Sequence, residues 1–147
     1  MTRQELVEKV REAKRARGLT WEAIARRVGR HKVWTTAALL GQHPMSAEEA
    51  QAAAEVLGLD REAVALLQEY PTRGTPGQAV PVDPTIYRFY EIVQLYGMAL
   101  KELIHEEFGD GIMSAVDLEV DVRRQVDPHG DRVVVTLSGK FLPYRRF

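Results

Sequence analysis

The chain has 147 residues, of which 45% are hydrophobic and 28% charged, and its formal net charge is −1. No apolar run approaches the ~20 residues of a membrane-spanning helix, and the lack of cysteine excludes disulfides, thiol nucleophiles and thiolate metal sites. The first residues are too charged for a signal peptide. These features predict a soluble, cytoplasmic protein.

The first seventy residues form five short predicted helices. Each of four N-terminal boundaries has a side chain that accepts backbone hydrogen bonds, and each of four C-terminal boundaries has a glycine. Two of the N-caps have a glutamate three residues later, which is the spacing of a capping box. The N-caps are Thr2, Thr20, Ser46 and Asp60, and the glycines are Gly18, Gly29, Gly41 and Gly58.

The second half changes from a linker to a long helix and then to strands. Residues 71–78 contain two prolines and two glycines and are predicted to be a linker. Asp83 followed by Pro84 is typical of a helix N-terminus, and this helix is expected to run to about Glu107. The apolar period then changes from 3.6 to 2 in 115–126, which predicts a half-buried strand, and the run RVVVTL at 132–137 is predicted to form a second strand.

These elements predict an α+β protein with two domains. The first, 1–75, is a helical bundle, and its second and third helices are spaced like a helix-turn-helix. The second, 76–147, holds the long helix and a β-hairpin. A lone two-stranded hairpin is marginal in water and has two open edges, so we expect this domain to pair with another chain.

Nine basic residues between Lys9 and Lys32 make DNA binding one hypothesis for the helical domain. A helix that reads base edges presents Arg, Lys, Asn, Gln or Ser. The predicted third helix, 33–40, is small and apolar on nearly every side, which is typical of a buried helix. The sequence favours a packing or oligomerisation domain. The alternative is a DNA-binding regulator whose C-terminal domain dimerises and senses an anion.

Three groups of residues in the chain are candidates for chemistry. Arg88 and Glu91 lie at i and i+3 on the long helix, where an exposed ion pair is the simplest explanation. A glycine-bearing turn at 109–111 leads to Ser114 at the start of a strand and can present N–H groups to an anion. A metal site is not expected, because no two of the four histidines have the spacing of metal ligands. The histidines are His31, His43, His105 and His129, and His105 is expected to have a structural role.

Two blocks of sequence resemble the signature of the cyanase family, also called cyanate hydratase or cyanate lyase. They are DPTIYRFYE (83–91) and FGDGIMSA (108–115). The resemblance extends through LSGKFLP (137–143) and back to Trp21, AALLGQ (37–42) and LGL (57–59), so it covers nearly the whole chain in order. Met113 and the tail from Tyr144 depart from the family pattern, at positions that carry no chemistry.

This resemblance implies a bicarbonate-dependent conversion of cyanate to ammonia and carbon dioxide. Bicarbonate is then a co-substrate, and no metal or organic cofactor is needed. Catalytic roles carry over onto Arg88, Glu91 and Ser114, and Ile112 and Leu142 line the small site. The implied fold joins a domain like the helix-turn-helix domain of phage repressors, not used for DNA, to a dimerisation domain with strands interlocked between chains. Five dimers form a decamer.

The chemistry of two small anions agrees with these residue types. Arg88 can clamp a carboxylate-like group through two parallel hydrogen bonds, and Ser114 can donate to the other anion. Glu91 either orients Arg88 and the substrates or moves a proton, and both roles stay open. A dianionic intermediate favours a second Arg88 from another chain. Because a 20-residue helix is about 30 Å long, Ser114 is expected to meet the Arg88 of a neighbouring subunit.

Overall fold

The structure is a computed structural model that describes residues 1–71, 79–80 and 82–145. The chain divides into two compact units, residues 1–74 and 75–147. Nearly all of the predicted linker, residues 72–78, lies outside the described residues. No helix in the described parts of the chain is both long and apolar enough to cross a membrane.

The first unit consists of five helices. They begin and end close to the predicted boundaries: α1 Arg3–Ala16, α2 Trp21–Val28, α3 Lys32–Leu39, α4 Ala47–Leu57 and α5 Arg61–Gln68. The Thr2 hydroxyl accepts from the Glu5 N–H at 3.2 Å while the Glu5 carboxylate accepts from the Thr2 N–H at 2.6 Å. The predicted capping boxes, here and at Ser46, are therefore confirmed.

The core of this unit is built around α4, which contacts α1, α2 and α5. Ala50 and Ala53 are fully buried on this helix, and their short side chains allow the neighbouring helices to approach closely. The buried apolar residues contributed by the other helices include Leu6, Val10, Ile24, Leu39 and Leu67. Helix α3 buries one face, with Thr35, Ala38 and Leu39, and leaves Trp34 half-buried. The expectation that α3 is buried all round is thus correct for one face only.

The second unit contains one long helix and one antiparallel pair of strands. Helix α6 spans Pro84–Phe108, β1 spans Gly111–Gln125 and β2 spans Arg132–Pro143. The predicted strands 115–126 and 132–137 were too short. Strand β1 begins four residues earlier because the chain is already extended after the turn at Gly109. Strand β2 continues to Pro143 because its last residues pair with the start of β1.

None of the residues of α6 is buried within this chain. Apolar residues at three- and four-residue spacing, among them Ile86, Val93 and Leu100, are exposed, and apolar side chains on other faces are exposed as well. Leu95 and Met98 are 70% and 71% exposed. A helix that is apolar on several faces is ordinarily covered on several sides.

Candidate active site

Arg88 and Glu91 lie on the second and third turns of α6, close to its N-terminus. The Asp83 carboxylate accepts hydrogen bonds from the N–H groups of Thr85 and Ile86, both at 2.9 Å, and Pro84 occupies the first turn. Helical spacing then brings the Arg88 Nη1 and the Glu91 Oε2 to 3.3 Å. The two side chains are 67% and 46% exposed. An exposed pair of this kind stabilises a helix by only about 0.3–0.5 kcal/mol.

Ser114 lies in an irregular part of β1. Met113 pairs with Phe141 and Leu118 pairs with Gly139, so residues 114–117 of β1 lie opposite Lys140 alone. The Ser114 hydroxyl oxygen accepts from the N–H groups of Val116, at 3.1 Å, and Asp117, at 2.9 Å. We call residues 114–117 the bulge. Ser114 is therefore inside the strand, and the prediction that it begins the strand was wrong.

The geometry of the bulge determines what the Ser114 hydroxyl can do. Ser114 is only 6% exposed. A hydroxyl carries one proton and two acceptor lone pairs, and two backbone N–H groups already donate to this oxygen. Its proton is therefore the part of the group left to bind a ligand. These contacts make Ser114 a held hydrogen-bond donor. The N–H groups of Val116 and Asp117 donate to the Ser114 hydroxyl oxygen rather than to an anion.

Ile112 and Leu142 lie directly opposite each other in the strand pair. Directly opposite residues of an antiparallel pair project from the same face. Their exposed fractions are 47% and 39%, so the pair forms an accessible apolar surface. Ser114 follows Ile112 by two residues.

His105 attaches the start of β1 to the end of α6. Its Nε2 lies 3.1 Å from the Gly111 carbonyl oxygen and its Nδ1 lies 3.5 Å from an Asp110 carboxylate oxygen. The ring also meets the Tyr144 ring edge-on, with centroids 6.4 Å apart. These contacts, with a side chain that is 22% exposed, agree with the structural role predicted for His105. It fixes the segment that carries Ile112 and Ser114.

Many basic residues of the helical unit contact other groups of that unit. Lys9 forms an ion pair with Asp60, and Arg30 with Glu49 at 3.2 Å. The guanidinium of Arg30 also lies over the Trp34 ring, 3.9 Å from its centroid. These contacts compete with any use of the two cations as phosphate ligands.

The comparison with known families covers both units. Residues 3–71 match the model described as "Cyanate hydratase, N-terminal", and residues 78–146 match the "Cyanate lyase C-terminal domain". The chain is 58% identical over 144 residues to a cyanate hydratase of Mycolicibacterium vanbaalenii, covering 98% of this chain and 94% of that protein. It is 53% identical over 147 residues to a cyanate hydratase of Albidiferax ferrireducens, with both chains fully covered.

The chain belongs to the cyanate hydratase family. The family assignment predicted from the sequence is therefore confirmed. The fold agrees with it, since the crystal structure of cyanase from T. urticae superimposes with a TM-score of 0.82 at 40% identity. That superposition covers 92% of this chain and 95% of the other.

The structure brings some of the predicted cyanate hydratase residues together and leaves others apart. Arg88 forms a pair with Glu91, and Ile112 with Leu142. Among the described residues, the side-chain hydrogen bonds of Arg88 and Ser114 connect each of them to its own neighbours in the chain. At 1.5 Å per residue, Arg88 lies about 26 Å along α6 from His105. Across residues 1–71, 79–80 and 82–145, no cluster of three or more potential metal ligands occurs.

The close approach of the two strands at Gly111 and at Gly139 was not predicted from the sequence. A Cβ on Gly111 would lie 2.4 Å from the Leu142 carbonyl oxygen, and a Cβ on Gly139 would lie 2.7 Å from the Ser114 carbonyl oxygen. The only signal available was that a glycine inside a strand often marks a bulge or a close approach of two backbones.

Proposed function

We propose that this chain catalyses the bicarbonate-dependent decomposition of cyanate to ammonia and carbon dioxide, as a lyase. The observation that carries the proposal is that both halves match cyanate hydratase families, with relatives of that name aligned over the whole chain. The candidate site offers groups suited to two small anions: the charge of Arg88, the fixed hydroxyl of Ser114, and the small apolar surface formed by Ile112 and Leu142.

The proposed reaction begins when an oxygen of bicarbonate adds to the carbon of cyanate. The bicarbonate proton moves to nitrogen, which gives a dianion of carboxylated carbamic acid. Loss of carbon dioxide with uptake of one proton leaves carbamate. Carbamate takes up a second proton and decomposes to ammonia and a second carbon dioxide. Carbon and nitrogen keep their oxidation states throughout, so the reaction needs no redox partner.

Arg88 and Ser114 suit the anionic groups in this sequence. The Arg88 guanidinium offers a planar set of donors that matches a carboxylate, and its side chain is 67% exposed in this chain. The Ser114 hydroxyl is oriented before substrate binds, so little reorganisation is needed when negative charge develops. Glu91 orients Arg88 through the 3.3 Å contact or moves a proton. Holding the two anions together supplies a further part of the acceleration.

We also propose that the active form is a homo-oligomer in which subunits share the site. Two features support this: the uncovered apolar faces of α6, and a two-stranded sheet with two open edges. Interlocked strands would cover both, and the family resemblance suggests a decamer of five dimers. A site shared between subunits would also contain a second Arg88, whose positive charge would help to balance the dianionic intermediate. Light scattering during size-exclusion chromatography measures the assembly size.

The helical unit is proposed to support this assembly rather than to bind DNA, although α2 and α3 follow the order of a helix-turn-helix. The internal contacts of Lys9 and Arg30 and the apolar character of α3 support this. Gel retardation on mixed-sequence DNA at several salt concentrations tests it, because phosphate binding weakens steeply with salt. A salt-sensitive shift at micromolar protein would favour the regulator.

The decisive experiment measures ammonia released from cyanate with and without bicarbonate. Turnover is expected only in buffer that contains bicarbonate, and a chelator is expected to leave it unchanged. Full turnover in degassed, bicarbonate-free buffer would contradict the mechanism. Loss of activity with chelator, restored by a divalent metal, would contradict the metal-free reaction.

A further inference from the structure

The bulge that holds Ser114 packs against a strand position that has no side chain. Gly139 of β2 pairs with Leu118, the first residue after the bulge. A Cβ built on Gly139 would lie 2.4 Å from the Met113 Cγ, 2.7 Å from the Ser114 carbonyl oxygen and 3.1 Å from the Leu118 Cδ1. The place of the missing side chain is thus already filled by Met113 and Leu118, which flank the bulge, and by Ser114 itself.

Backbone conformation does not explain why glycine occupies this position. The glycines with positive φ among the described residues are at other places in the chain, and Gly139 is not one of them. A glycine inside a strand weakens it through lost packing and greater freedom of the unfolded chain. Position 139 therefore requires a residue without a side chain, because the Ser114 carbonyl occupies part of the space that a Cβ would fill.

The carbonyl contact differs in kind from the Met113 contact. A methionine side chain has three rotatable bonds and can move aside. The Ser114 carbonyl belongs to the backbone, and moving it also moves the Ser114 Cα and hydroxyl. The hydroxyl position depends on the bulge in turn, since the N–H groups of Val116 and Asp117 bind its oxygen.

We propose that Gly139 is a positioning residue for the reaction: its missing side chain allows the Ser114 carbonyl to approach β2, which sets the position of the Ser114 hydroxyl. This inference rests on the proposed function, in which that hydroxyl donates to an anion. Gly139 itself touches no substrate. A displacement of the hydroxyl by about 1 Å is enough to reduce turnover about 10²-fold.

The test compares G139A with G130A in steady-state assays of cyanate turnover. Gly130 lies in the turn of the same hairpin, has φ +122°, and an added Cβ there meets nothing within 4 Å. G130A therefore strains the hairpin without reaching the bulge. We expect G139A to lower kcat about 10²-fold with little change in KM, because a misplaced donor loses its effect mainly in the transition state. G130A is expected to keep the kcat of the unmodified protein.

A second pair of variants separates the two contacts. M113A should retain kcat within about threefold, and M113A/G139A should stay impaired, because removal of the methionine leaves the carbonyl contact. Hydrogen exchange measured by mass spectrometry should show faster exchange for residues 114–118 in G139A than in G130A. Recovery of full activity in M113A/G139A, or a G139A variant as active as G130A, would overturn the proposal.

Misfolded variants and an inactive unmodified protein lead to different conclusions. If G139A and M113A/G139A both fail to fold, Gly139 is required for the fold rather than for the site, and the proposal is wrong. If the unmodified protein does not consume cyanate, the proposed function itself fails. In that case the hydrogen-exchange comparison of G139A with G130A still shows whether Gly139 controls the structure of the bulge.

Discussion

A shared site can be tested by placing its two halves on different chains. Arg88→Ala removes the cationic clamp, and Ser114→Ala removes the donor and the acceptor for two backbone N–H groups of the bulge. Loss of one such electrostatic contact typically costs about 10²–10³-fold in kcat. Each variant alone is therefore expected to be nearly inactive.

The expected recovery after mixing follows from the geometry. Arg88 lies 17 residues before His105 on a continuous helix, about 26 Å along its axis, whereas Ser114 lies just beyond the Gly111 carbonyl that His105 contacts. If each site takes Arg88 and Ser114 from different chains, random reassembly of equal amounts leaves about one quarter of the sites intact. A site that takes two Arg88 side chains and Ser114 from three different chains leaves about one eighth intact.

The assay uses variants that carry different affinity tags. They are unfolded together, reassembled and purified through both tags, so that only hybrids remain. Ammonia release is then compared with that of unmodified protein taken through the same cycle, and with variants mixed without unfolding. Hybrids of normal size that are as inactive as their parents would refute the shared site, because every chain would then have to hold its own complete set of residues.

Three further predictions follow from single contacts. Arg88→Lys should lose at least about 2 kcal/mol of transition-state stabilisation, or roughly 30-fold in kcat/KM, and near-normal kinetics would make Arg88 a surface ion-pair partner only. His105→Ala should lower the free energy of unfolding by about 1 kcal/mol, as measured by denaturant titration, whereas His129→Ala in the exposed turn should change it little. The hydrogen bond from Lys9 lowers the pKa of Asp60 below its ordinary value of 3.8, so this pair stabilises the fold above that pH and the effect is lost as the pH falls through the folded-state pKa. Melting curves of Asp60→Asn should therefore depend less on pH in this acid range, and an unchanged pH dependence would contradict the assignment.

The helical unit was largely predictable because its boundaries depend on local hydrogen bonds. A capping box involves residues three apart, such as Ser46 and Glu49, and both can be read from the sequence. The same holds for the pair Arg88 and Glu91, whose 3.3 Å contact follows from helical spacing. The identity of the candidate site residues came from the resemblance to a family, not from their spacing alone.

The strand boundaries and the bulge were not predictable in this way. The run RVVVTL, rich in β-branched residues, ends at Leu137 and is followed by Ser138 and Gly139, so local sequence ends β2 there. Pairing with the start of β1 extends the strand to Pro143. The hydroxyl of Ser114 was expected at a strand terminus. Its place in a bulge depends on which residues of β2 lie opposite, and those are about 25 positions away.

Local sequence patterns were enough to predict the helices, their caps, the change of period after Gly111 and the residue types suited to binding anions. Each of these depends on residues that lie close together in the sequence. The close approach of Gly139 to the Ser114 carbonyl and the attachment of β1 to α6 through His105 could be seen only in the folded chain. Those contacts are steric and directional, and they arise only when the register of the two strands and the direction of the turn at Gly109 are set together.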